Sequence, residues 1–115
     1  MKFPFVLYDL ATLGDRCDGL SWHPFHPGVE IHYLYQTESG AAAALLRYQP
    51  GASVPEHFHT GHEHIFVLSG SQSDENGRYT RGTVVINPPH TKHSVTSENG
   101  CIVLAVWETP VELCQ

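Results

Sequence analysis

Five short apolar stretches, each closed by a turn signal, limit what this chain can fold into. They read VEIHYLYQ (Val29–Gln36), AAAALLRYQ (Ala41–Gln49), HIFVLSG (His64–Gly70), TVVIN (Thr83–Asn87) and CIVLAVW (Cys101–Trp107). The first alternates: Val29, Ile31, Tyr33 and Tyr35 fall on one strand face, Glu30, His32 and Gln36 on the other. The alanines and leucines of the second favour a helix on propensity alone. Ser39–Gly40 before it and Pro50–Gly51 after it are turn signals, however, and mark it as a buried strand. The third and fourth are strands on their β-branched and aromatic content. The last is apolar on both faces, which suits the centre of a sheet. Asp74–Gly77 (DENG) reads as a hairpin turn. Strands at this spacing predict an all-β fold, a small barrel or sandwich.

The bounds agree with that reading. At 115 residues without internal repeat or linker composition, a single domain over residues 1–115 is expected. Six basic against twelve acidic residues give a net charge of -6 and no basic stripe, which argues against nucleic acid as a partner. No apolar run approaches the length of a membrane span, so no membrane partner is expected. Pro4 and Asp9 interrupt the N-terminal apolar residues, so no signal peptide is read and a cytoplasmic location is expected. Cys17, Cys101 and Cys114 form no CxxC pair, which signals neither a disulfide framework nor a thiolate zinc site.

The chemistry concentrates in PEHFHTGHEHIFVLSG, Pro55 to Gly70. His57 and His59 are two apart, so an extended strand aims both imidazoles from one face. Glu63 follows across a turn at Thr60–Gly61 that brings the chain back beside itself. A fourth ligand must come from elsewhere, and His93, just past Asn87-Pro88-Pro89, is the natural candidate. The alternative is a polar surface loop whose pattern is coincidental.

These residues carry a resemblance. Gly51, His57, His59, Glu63 and Gly70 fill every fixed position of the first cupin motif, spanning residues 51–70. Gly82, Pro88 and His93 fit the second, spanning residues 82–97, with His90 in place of the usual glycine and Ser97 in place of the usual asparagine. The chain resembles the cupin domain of ChrR-type anti-sigma factors and their stand-alone relatives over roughly residues 20–107. The resemblance implies a small cupin, a jelly-roll barrel of two antiparallel sheets. It maps the metal ligands onto His57, His59, Glu63 and His93. Nothing in the chain corresponds to the N-terminal zinc-binding region with which ChrR-type factors grip a sigma factor, so anti-sigma activity is not carried over.

Three imidazoles and one carboxylate suit one divalent metal ion per chain: Zn, Fe, Mn or Ni, with Cu also compatible. The barrel mouth is a natural small-molecule site. The resemblance implies a metal-dependent dioxygenase acting on a small diketone or phenolic compound. The alternatives are a ligand- or oxidant-sensing module without turnover, and a structural zinc cupin.

The remaining candidates have blander readings beside the sharp ones. His62 and His64 flank Glu63, so on a strand both point away from the site. His90 lines the mouth or lies at the surface. His23 and His26, in WHPFHPG, are read as structural loop residues, and His32 as solvated. Cys101 is either an oxidant-responsive thiol near the metal or a small buried residue opening a core strand; burial statistics favour the latter. Tyr33, Tyr35, Tyr48, Phe58 and Phe66 line a pocket or simply fill the core. Apolar strands around Phe3–Leu7 and Cys101–Trp107 leave edges that need covering, which predicts a homodimer.

Overall fold

The structure is a computed structural model, and it describes residues 4–114. A single helical turn, α1 (Leu10–Leu13), and a 3-10 turn at Cys17–Gly19 precede ten strands. The strands are β1 (His23–His26), β2 (Val29–Gln36), β3 (Ala42–Tyr48), β4 (Ala52–His59), β5 (Glu63–Asp74), β6 (Gly77–Thr80), β7 (Val84–Asn87), β8 (Thr91–Ser97), β9 (Cys101–Trp107) and β10 (Glu112–Leu113).

All pairings are antiparallel. One sheet runs β1-β2-β3-β9-β5-β7. The other runs β6-β5-β8-β4-β10. Strand β5 belongs to both. Its first residues, Glu63 to Gly70, pair with β9, and Ser71 to Asp74 pair with β6. Gly70 marks the crossing. Its φ is +71°, and a Cβ there would sit 2.0 Å from the Gly100 carbonyl oxygen. Only glycine lets β5 pass that close while leaving one sheet for the other. This gives the last fixed glycine of the first motif a physical reason.

The sheets curl over a core of Val29, Ile31, Ala44, Leu46, Tyr48, Val54, Ile65, Val67, Val95, Val103, Ala105 and Trp107. Fully burying a valine or leucine side chain contributes about 1.5–3 kcal/mol. The residues of β3 are buried on both faces apart from Arg47, because α1 and the N-terminal segment cover the outer side. Tertiary packing thus overrides the helical propensity of its alanines, and β3 lies between β2 and β9 as a buried strand.

Three expectations need correction. The alternation of β2 breaks at Leu34: Tyr33 pairs with Ala44 and Tyr35 with Ala43, so one residue bulges out and Tyr35 turns to the outer face. Tyr35 is consequently exposed, and Tyr33, which keeps the face of Ile31, is exposed as well rather than in the core. The WHPFHPG segment is a strand and a turn, because β1 pairs with β2 across Pro27–Gly28. The edge argument for pairing also falls away. Phe3 lies outside the described residues, Pro4 to Leu7 carry no strand, and β9 is paired on both sides. Apolar side chains are exposed both in that N-terminal segment, where Phe5 and Val6 are 56% and 52% exposed, and on edge strand β7, whose Val84 and Ile86 are 50% and 54% exposed.

Candidate metal centre

Strand β4 carries two of the four candidate side chains, and a bulge decides their aim. Val54 pairs with Val95 and His57 with His93, so β4 spends one residue more than β8 over that interval. The shift lets Val54, His57 and His59 all face inward despite their odd spacing. The same register sets His57 directly opposite His93. Glu63 opens β5, paired with Asn87 on one side and Trp107 on the other. The four side chains are 4%, 1%, 4% and 4% exposed in the order His57, His59, Glu63, His93. Their ligand atoms all lie within 4.8 Å of one another, a buried cluster that could hold a metal ion.

The hydrogen bonds around the rings fix which nitrogen carries the proton. His57 Nδ1 lies 3.0 Å from the Pro55 carbonyl oxygen, which can only accept. His93 Nδ1 lies 2.9 Å from Asp74 Oδ2. The other Asp74 oxygen accepts from the Asn76 and Gly77 amides and from the Tyr79 hydroxyl. Burial pushes the Asp74 carboxyl up, but the His93 bond with the Asn76 and Tyr79 bonds outweighs it and holds the group ionised, below the usual range. His59 Nδ1 lies 3.0 Å from Thr91 Oγ1, whose own proton goes to the Pro88 carbonyl. Each neutral ring therefore donates from Nδ1 and turns a bare Nε2 lone pair inward.

The inward atoms are then short of positive charge. His57 Nε2 and His93 Nε2 stand 3.0 Å apart. Glu63 Oε1 lies 3.2 Å from His59 Nε2 and 3.6 Å from His93 Nε2. His59 Nε2 is buried and makes no hydrogen bond of acceptable geometry. With the rings neutral and Nδ1 protonated, four lone-pair donors converge here, a set that fits a divalent cation. Burial pushes the Glu63 carboxyl up, yet His59, Trp107 and His93 pull it down further, so it stays below its ordinary range. That pull is the attraction of a buried carboxylate for any positive charge at this point, a protonated ring or a bound cation alike. Burial holds the His57 imidazole below its ordinary 6.5, against the Pro55 bond that raises it.

Sequence reasoning found the converging four and missed what holds them. Glu63 is clamped by Asn87 Nδ2 on Oε1 at 3.0 Å and by the Trp107 indole N–H on Oε2 at 2.6 Å. Asp74, read only as a turn residue, sits behind His93. Its role depends on the register of β5 against β8, which local spacing does not reveal. His26 lines the same cavity as His57 and Glu63. The other histidines lie outside the cluster. His62 bonds Glu108 at the surface and faces the ring of His64. His32 bonds the Ser21 carbonyl beside Trp22. His90 is exposed with φ +70°, the conformation that the usual glycine adopts without strain. Cys101 is a buried core residue, its thiol pushed up by burial to about 11.

The cluster opens onto a cavity of about 30 Å³. Leu46, Val54, Ile65 and Val95 make its walls apolar, and Phe25, Val111 and Leu113 close its outer side. Tyr48 and Gln72 add the polar groups that are not in the cluster itself, apart from His26.

A profile of the ChrR cupin-like domain matches residues 13–111. The chain belongs to the ChrR cupin-like family. The anti-sigma-E factor ChrR of Cereibacter sphaeroides is 34% identical over 101 residues, 86% of this chain and 47% of that protein. This family member thus spans about half the length of that curated relative. ChrR in the crystal structure of the Rhodobacter sphaeroides SigE complex matches with a TM-score of 0.74 at 28% identity, over 93% of this chain and 70% of that one. An acetylacetone dioxygenase from Acinetobacter johnsonii matches with a TM-score of 0.79, over 100% of this chain and 79% of that one. At 13% identity it shows the shared cupin fold.

Two outcomes test the ChrR-like cluster. His57→Ala should sharply lower metal occupancy by elemental analysis, and His32→Ala should leave it unchanged; equal occupancy in both sinks the assignment. The second outcome is pH dependence. Protons compete with a metal for neutral imidazoles, whose reference pKa is about 6.5. The metal-dependent gain in unfolding temperature should therefore shrink between about pH 7.5 and 5, with up to three protons exchanged per ion. His57 works in the same direction without metal. Its folded pKa is depressed, so the unfolded state binds more protons and stability falls as pH drops through 6.5. Thermal unfolding with metal and with chelator reads both effects. A gap between the curves that stays constant toward acid pH refutes a histidine-dominated site.

Proposed function

We propose that His57, His59, Glu63 and His93 hold one divalent ion, and that the protein is a metal-dependent dioxygenase acting on a small diketone or phenolic compound. The observation that carries this reading is the buried set of four converging lone-pair donors, of which His57, Glu63 and His93 line a small, largely apolar cavity. When bound, the ion would supply Lewis acidity and, if it were iron, a redox-active centre through which the substrate's electrons could reach dioxygen. The chain's own residues supply the rest. Pro55, Thr91 and Asp74 keep the three rings oriented with Nε2 inward. Asn87 and Trp107 fix both carboxylate oxygens of Glu63. The apolar walls keep the surroundings of the cluster low in polarity, which strengthens every electrostatic contact within. Burial pushes the Tyr48 hydroxyl well above its ordinary range, so it stays protonated as a neutral donor beside the cavity.

A second reading, an oxidant- or ligand-sensing cupin without turnover, has its own support in the cavity size. A volume of about 30 Å³ admits water, dioxygen or a peroxide. A diketone needs more room, and so requires the wall at Phe25, Val111 and Leu113 to shift. A buried four-donor set also suits a structural zinc.

One experiment separates these. Protein purified without added metal is analysed for its ion, then loaded with iron and screened for oxygen uptake with acetylacetone and with simple phenols. Uptake that exceeds the iron-free and His57→Ala controls supports the enzyme. Tight zinc and no uptake with either class refutes it in favour of sensing or structure.

The same reading includes one domain over residues 1–115 and a homodimer. The exposed apolar residues of edge strand β7, Val84 and Ile86, support pairing with a second copy. Light scattering should give twice the 12.8 kDa chain mass at micromolar concentration; a monomer refutes the dimer.

A further inference from the structure

A second chamber adjoins the first at the barrel mouth. Its volume is about 230 Å³, and it shares Phe25, Trp107 and Val111 with the inner cavity. Three rings line it, Phe25, Tyr33 and Trp107, and Gln36 and Thr37 stand at its polar side. None of its lining residues carries a charge. An apolar cavity of about 150 Å³ is enough to take benzene. The outer chamber therefore accommodates one substituted ring, and the inner cavity does not.

We propose that this chamber binds a planar, uncharged molecule of one ring bearing a hydroxyl or carbonyl group, and that Trp107 links its occupancy to Glu63. The class follows from the lining. Aromatic walls favour a flat ring, packed by offset or edge contacts. The Gln36 amide offers both a donor and an acceptor for one polar substituent. A carboxylate or ammonium entering the chamber loses hydration and meets no opposite charge. The link is one residue long. Trp107 is 8% exposed, forms part of both walls, and donates its indole N–H to Glu63 Oε2 at 2.6 Å. A ring seated on the indole bears on the group that orients the carboxylate. Strand alternation already puts Tyr33 on the face of Val29 and Ile31, whereas only sheet register brings Trp107 beside Glu63.

This inference rests on the proposed function and narrows its substrate class to single-ring compounds, so the test reads binding apart from turnover. Metal-free and zinc-loaded protein are each titrated with phenol, and the two indole N–H resonances are followed by NMR. The chain has two tryptophans, and Trp22 lies on the outer side of the sheet as an internal control. The Trp107 resonance should shift saturably and that of Trp22 should stay. Val111→Phe, which fills the chamber, should weaken binding at least about tenfold, and benzoate should bind at least about tenfold more weakly than phenol. Gln36→Ala alters an exposed side chain and should weaken binding by about threefold with the fold intact. Both resonances drifting without saturation, Gln36→Ala and Val111→Phe both binding like the parent, or benzoate binding like phenol overturns the chamber. Saturable binding at Trp107 without oxygen uptake counts against the enzyme alone. Oxygen uptake with Trp107 unmoved counts against the chamber alone.

Discussion

The outer hydrogen bonds of three imidazoles govern this molecule. A backbone carbonyl, a threonine hydroxyl already committed elsewhere and an ionised aspartate each take the Nδ1 proton of one ring. The consequence is a buried point at which every facing atom is an acceptor. Such an arrangement is costly if left alone, because unpaired polar atoms in a dry interior lose their hydration without compensation. Its cost falls when a cation or a shared proton occupies the centre.

The backbone supports that arrangement through departures from regularity. The bulge before His57 restores inward parity after Val54 and seats His57 across from His93. The crossing at Gly70 lets one strand serve both sheets, so that Glu63 stands at its start and Asp74 at its end. A strand of even alternation confined to one sheet could not place a carboxylate in the cluster and another behind it.

These departures also explain what was legible in the sequence. The strands of the core were legible because their apolar content and turn boundaries are local. HxHxxxE was legible because two-residue spacing on a strand and a short turn are local too. Tyr35 leaves the face that alternation predicts, because a bulge leaves no compositional mark. Asp74, Asn87, Trp107 and His26 went unread for a related reason. Each reaches the cluster or its cavity through strand register across many residues, and register follows from the closure of the whole barrel.

The shared strand has a further consequence. Glu63 is held by β7 and β9 of one sheet, and His57, His59 and His93 belong to β4 and β8 of the other. An ion at the cluster is therefore a rivet between two sheets rather than a plug in one. Strand β5 already joins the sheets at one corner, so the rivet removes the remaining freedom of the two halves to breathe apart. Such an ion would couple local opening of one sheet to that of the other.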